Sequence, residues 1–154
     1  MAITELPHDF KELFECLNSE RVEYLLVGGW AVAAYAVPRF TQALDVWVDI
    51  GRENSERIVR ALRRFGFSSE AVSVDLFLSP LKVTRFGAPP LQVDILTSIA
   101  GVKFIDCYPE RGNLRIQDVV VPVISRKRLI ENKQASGRHK DLADVESLLE
   151  GRAG

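Results

Sequence analysis

The apolar positions of this chain change period several times, and each change marks an element. From Asp9 to Asn18 the large apolar residues fall at Phe10, Leu13, Phe14 and Leu17. That spacing predicts an amphipathic helix packed on the rest of the chain. Glu23 to Val27 is a short apolar run ending in Gly28-Gly29, which predicts a buried strand. Trp30 to Val37 is alanine-rich and reads as a short helix, stopped by Pro38. Ala43 to Ile50 alternates as a strand does, with Leu44, Val46 and Val48 on one face and Ala43, Asp45, Trp47 and Asp49 on the other. Asn54 or Ser55 caps a helix to about Phe65 that buries Ile58, Val59, Leu62 and Phe65, and Gly66 ends it.

Ser68 to Pro80 carries little pattern and is expected to be a loop with a short strand or turn. Leu81 to Phe86 and Leu91 to Leu96 alternate on either side of Gly87-Ala88-Pro89-Pro90, the pattern of a hairpin. In its second strand Gln92, Asp94 and Leu96 share a face. Ile99 to Asp118 is mixed, a loop with a short helix or strand. Val119 to Ile124 is a strand that Pro122 interrupts, so an edge position is expected. Ser125 caps a helix to about Ser136, broken at Gly137, and a last helix spans about Lys140 to Glu150 with Leu142, Val145, Leu148 and Leu149 turned inward. This order predicts an α+β fold: a mixed β-sheet with helices on one side and a helical C-terminus, forming a single domain over residues 1–154.

Composition narrows the function classes. The 154 residues include 20 Lys and Arg against 21 Asp and Glu, so no global positive field draws nucleic acid, and any such contact must be local. Arg60, Arg63 and Arg64 are one local basic run, read first as a solvated helix face and second as a tRNA contact. No apolar run approaches the ~18 residues of a membrane span. The first residues have no basic segment followed by an apolar one, so no secretory signal is expected and a cytoplasmic location is. Cys16 and Cys107 match no zinc or redox spacing and read as reduced thiols.

The chemistry concentrates in three places. Asp45 stands in mid-strand between Leu44 and Val46, and Asp94 stands between Val93 and Ile95. If those strands pair directly, the carboxylates lie ~5 Å apart, and like charges that close call for a cation. Gly28-Gly29 lets backbone N–H groups approach an anion at a helix start. Lys133, Arg138 and Lys140 form a local cation cluster suited to a triphosphate, with Asp141 and Asp144 on one helix face.

Gly28-Gly29, Arg39-x-Thr41, Asp45 and the later Asp94 resemble the signature of the polymerase-β-like nucleotidyltransferase superfamily. The ending Lys133…Arg138-x-Lys140-Asp141-x-x-Asp144 is similar to that of its toxin-type and abortive-infection-type branch. The resemblance implies the minimal nucleotidyltransferase fold, a mixed sheet flanked by helices, and transfer of an NMP from an NTP to an acceptor hydroxyl with Mg²⁺. It implies Asp45 and Asp94 as metal ligands and, with Lys133 and Asp141, as catalytic residues. Gly28, Gly29, Arg39, Thr41, Arg138 and Lys140 are the implied nucleotide-binding residues. The implied acceptor is tRNA, a protein or a small molecule, and the toxin-type branch implies an antitoxin partner.

The chain departs from that pattern at position 43, where Ala43 stands for the first Asp of an Asp-x-Asp pair. Two-metal transfer needs several carboxylates, and Asp49 is no substitute at ~13 Å along the strand. The expectation is impaired activity: an inactivated variant, a natural degenerate member, or a site that works with two carboxylates. The alternatives are a non-catalytic nucleotide-binding or protein-interaction module of the same fold, or a scaffold with no nucleotide site.

Overall fold

A computed structural model of the chain describes residues 7–36, 43–67 and 70–150. The elements in order are α1 (His8–Ser19), β1 (Tyr24–Val27), α2 (Gly28–Tyr35), β2 (Ala43–Val48), α3 (Arg52–Phe65), β3 (Val83–Phe86), β4 (Gln92–Leu96), the single turn α4 (Phe104–Cys107), β5 (Gly112–Ile116), β6 (Val119–Val123), α5 (Arg126–Ser136) and α6 (His139–Leu149). The strands form one mixed sheet in the order β3-β4-β2-β1-β6-β5. Both the α+β class and the mixed sheet follow the sequence pattern.

β1 is buried at all of Tyr24, Leu25, Leu26 and Val27. Successive strand residues face opposite ways, so helices cover both faces of the sheet rather than one. α1 packs with α3, and α2 packs with α5 and α6. α1 buries the expected Phe10, Leu13, Phe14 and Leu17. Phe14 stacks on Tyr24 at a centroid distance of 6.0 Å, which joins this helix to β1.

Four expectations are corrected by packing. Asn54 and Ser55 do not cap α3. The helix starts earlier, at Arg52, and both side chains are buried inside it. Asn54 Oδ1 accepts from the Glu23 amide at 2.8 Å, while its Nδ2 donates to the Glu23 and Asp49 carbonyls. Ser55 Oγ donates to the Phe77 carbonyl at 2.9 Å. These polar side chains therefore tie the helix to β1, to the end of β2 and to the 3₁₀ turn Val74–Phe77 that anchors the segment before β3.

β6 is not an edge strand, because β5 covers its outer side along its whole length. Pro122 still leaves a mark. The pairing of β6 with β1 is confined to Leu26–Val123, just past the proline, and the Ile124 amide then donates to Leu26 O. α2 begins at Gly28 itself rather than at Trp30. Finally, α6 buries Val145 and Leu148 as expected but not Leu142 and Leu149. Asp141, Asp144, Val145 and Leu148 turn inward, and Leu142 and Leu149 are 47% and 62% exposed. Asp141 and Asp144 instead turn toward Lys133 of α5, with Arg138 also on Asp141. Ser125 caps α5 as expected, accepting from the Arg128 amide, and Gly137 ends it in the left-handed conformation at φ 68°.

Candidate functional site

Strand register brings the site together. Val27 of β1 faces Asp45 of β2, Asp45 faces Asp94 of β4, and Asp94 faces Arg85 of β3. These four residues form one rung across four adjacent strands. Directly opposed residues share a face, so the two carboxylates and the guanidinium lie in line on one surface of the sheet. On the rung beside it, Ala43 faces Gln92, and no carboxylate is present there.

β1 turns into α2 at the end of this rung. Gly28 holds φ +70°, and an ideal Cβ built on it falls onto Asp45 Oδ2 and within 2.9 Å of the Asp45 Cβ and Cγ. Only glycine lets the backbone and this carboxylate share the space. Gly29 is buried in the first turn of the same helix.

The wall opposite comes from α5 and α6. Lys133 is buried, with Nζ 3.4 Å from Asp141 and 3.1 Å from Asp144. Asp141 is fully buried and also accepts from Arg138 Nε at 2.7 Å and from the Arg138 amide at 3.3 Å. Burial would push the Asp141 carboxyl up, but the Arg138 hydrogen bond and the Lys133 charge overturn this and hold it below its ordinary value. Lys133 and Asp141 thus form the structural part of the wall, while Lys140 is exposed and stands outside these ion pairs. Between wall and sheet lies a cleft of about 270 Å³ lined by Gly28, Asp45, Ser98, Asn132, Lys133 and Arg138, among others.

Asp45 registers both sides of this cleft. Burial first and then the Asp94 charge push its carboxyl up, Lys133, Lys140 and Arg138 act in the opposite sense, and the net position is about 6. Arg39 and Thr41 lie outside the described residues. Arg60 and Arg64 pair with Glu20 at 3.0 and 3.2 Å, across the sheet-covering helices α1 and α3. Trp47 shares the face of Asp45 but is buried against Phe104, ring centroids 5.1 Å apart, and walls the core rather than an open pocket.

Arg85 and Gln92 were not singled out by the sequence. Arg85 Nε and Nη2 meet the two Asp94 oxygens at 2.9 and 3.3 Å, and Gln92 Nε2 donates to the same carboxylate at 3.3 Å. A signal for Arg85 was present, since an arginine and an aspartate at matching distances from a hairpin turn face one another.

The donor set as it stands does not fit a two-ion magnesium centre. Mg²⁺ requires an octahedron of oxygens. Both Asp94 oxygens already take N–H donors, position 43 offers a methyl group, and among the described residues no group of three or more His, Cys, Asp or Glu is placed to hold a metal.

The architecture has known counterparts. A Thermotoga maritima protein provisionally assigned as a nucleotidyltransferase superposes with a TM-score of 0.60 at 16% identity, over 93% of this chain and 89% of that one. The lincomycin-bound lincosamide antibiotic adenylyltransferase LnuA superposes with a TM-score of 0.55 at 14% identity, over 96% and 98%. The fold is nucleotidyltransferase-like. No protein-family profile matches the chain, and no curated protein sequence does. At these identities the likeness establishes the nucleotidyltransferase-like fold and no activity. Among the described residues, no helix is long and apolar enough to cross a membrane.

Proposed function

We propose that this chain binds a nucleoside triphosphate in the cleft beside Gly28 and Asp45, and that transfer of its NMP to an acceptor hydroxyl is impaired by Ala43. The observation that carries the reading is the Asp45–Asp94 rung with Gly28 packed directly against Asp45. A glycine turn against a carboxylate pair, facing cations on a separate helical wall, suits a phosphate chain better than any apolar ligand. Gly28 and Gly29 approach the phosphates through the backbone. Lys140 and Arg138 supply positive charge, and Lys133 with Asp141 fixes the wall that presents them. In the transfer, the acceptor oxygen attacks the α-phosphorus and pyrophosphate leaves.

A small hydroxylated molecule is the acceptor to test first, because the neighbouring fold of LnuA belongs to an antibiotic adenylyltransferase. The toxin-type resemblance of the C-terminal stretch makes tRNA, a protein acceptor and an adjacent antitoxin the next. A second reading, a nucleotide-binding module without turnover, is favoured by Ala43 together with the Arg85–Asp94 ion pair.

Calorimetric titration of each NTP with Mg²⁺ into the wild-type chain and into Ala43→Asp, with pyrophosphate release followed in parallel, separates these readings. The expected result is binding by both and release at least about a hundredfold faster from Ala43→Asp, the scale of one charge-stabilising group. Binding without release from either chain favours the module. No binding of any NTP by either chain defeats the nucleotide site altogether.

A further inference from the structure

The rung described above contains its own counterion. Two carboxylates facing each other across parallel strands repel, and a site of this kind needs positive charge between or beside them. Here that charge comes from the third strand of the rung. Arg85 sits directly opposite Asp94 in the β3–β4 hairpin and grips it with two parallel N–H contacts, Nε at 2.9 Å and Nη2 at 3.3 Å. The fork puts a positive charge on both oxygens, so a divalent cation approaching Asp94 meets the guanidinium as a like charge and competes with it for the carboxylate. Gln92 adds a donor to the same carboxylate from the neighbouring rung, where Ala43 removes the remaining reason for a divalent ion. The Arg85 side chain is 62% exposed and Asp94 only 12%, so the carboxylate is largely buried beside an arginine that reaches solvent.

We infer that Arg85 is the resident cation of the Asp45–Asp94 pair, and that the site binds its anionic ligand without a divalent metal. The inference rests on the nucleotide reading only for the identity of that anion. Arg85 here compensates charge and positions Asp94, and it takes no part in bond making. The phosphates then meet a site with one net negative charge on the rung, offset by Lys140 and Arg138 on the opposite wall.

The first test uses Mn²⁺ alone, as a spectroscopic stand-in for Mg²⁺, titrated into the full chain with free Mn²⁺ read by electron paramagnetic resonance. The wild type is expected to bind no Mn²⁺ at this pair. Arg85→Gln, at an exposed position on an edge strand, is expected to fold and to bind one Mn²⁺ at concentrations at least roughly tenfold below the highest at which wild type shows none bound, the scale of removing one charge at this distance. Adding Asp94→Asn to Arg85→Gln is expected to abolish that binding. Mn²⁺ bound by the wild type and lost in Asp94→Asn overturns the inference. So does an Arg85→Gln chain that binds no better than wild type. The second test titrates NTP into the wild type in excess EDTA. Binding there supports the inference, and binding only with Mg²⁺ overturns it while leaving the nucleotide site standing. If no NTP binds under any condition, the nucleotide reading fails, and the Mn²⁺ experiment still decides the role of Arg85.

Discussion

Substituting Gly28→Ala probes the closest contact in the site, and its cost can be worked from two separate sources. The first is conformational. Gly28 holds φ +70°, and placing a residue with a Cβ in that region costs about 1–2 kcal/mol. The second is steric. The new methyl falls onto Asp45 Oδ2 and crowds its Cβ and Cγ, and forcing extra volume into a packed site costs about 1–3 kcal/mol. Together Gly28→Ala is expected to lose about 2–5 kcal/mol. The two parts separate in a double-mutant cycle with Asp45→Gly, which removes all three crowded atoms. In that background only the conformational part remains, so the pair should show a coupling of about 1–3 kcal/mol, with the double variant more stable than the sum predicts. Urea unfolding of the four chains at one pH, with matching m-values, measures it. Additivity to within ~0.5 kcal/mol would refute the claim that Gly28 is glycine because of Asp45.

Two further perturbations test the wall and the rung. Lys133→Met leaves Asp141 and Asp144 without their shared buried ammonium, and is expected to cost about 3–5 kcal/mol in urea unfolding; a loss under ~1 kcal/mol would mean the buried ion pairs do not hold α5 to α6. Asp45 carries a pH signature. Its folded carboxyl stands near 6 against a model-peptide value of 3.8. The stabilisation of the protonated form is thus complete below about pH 4 and lost as pH rises through 6. Asp45→Asn, which cannot ionise, should gain on wild type by up to roughly 3 kcal/mol between pH 4 and pH 7.5, and a difference that does not change with pH would show that Asp45 is not desolvated in the fold.

The sheet and most helices were legible because their apolar periods are regular. Phe10, Leu13, Phe14 and Leu17 are buried as their spacing demands, and Leu44, Val46 and Val48 are buried as theirs does. The failures have a common cause, which is polar side chains recruited by tertiary partners. Asn54 and Ser55 look like caps, but they bond to strands and turns that only the fold brings near. On α6 a hydrophobic pattern favours Leu142 and Leu149, whereas the structure buries Asp141 and Asp144 because Lys133 waits for them on α5. β5 was hidden because Gly112-Asn113-Leu114-Arg115-Ile116 buries only alternate residues and depends on β6 for its definition. In the site, Asp45, Asp94 and Gly28 were legible from spacing. Arg85 was legible only by counting outward from the hairpin turn to the residue opposite Asp94, a register that composition and period alone leave undetermined.

A line of charge assembled from separate strands tolerates one kind of change and rejects another. The long connection from β2 to β3 lies off the line, so its length can drift without moving Asp45 and Asp94 relative to one another, whereas the tight turn between β3 and β4 sets which residue faces Asp94. The phase of each strand cannot drift at all. A single residue gained or lost within β4 would present Val93 or Ile95 where Asp94 now stands and turn the acid to the opposite face of the sheet. For anyone grafting new chemistry onto this scaffold, the long connection from β2 to β3 is a free parameter, whereas the strand interiors, the glycine turn after β1 and the Gly87–Leu91 turn are not.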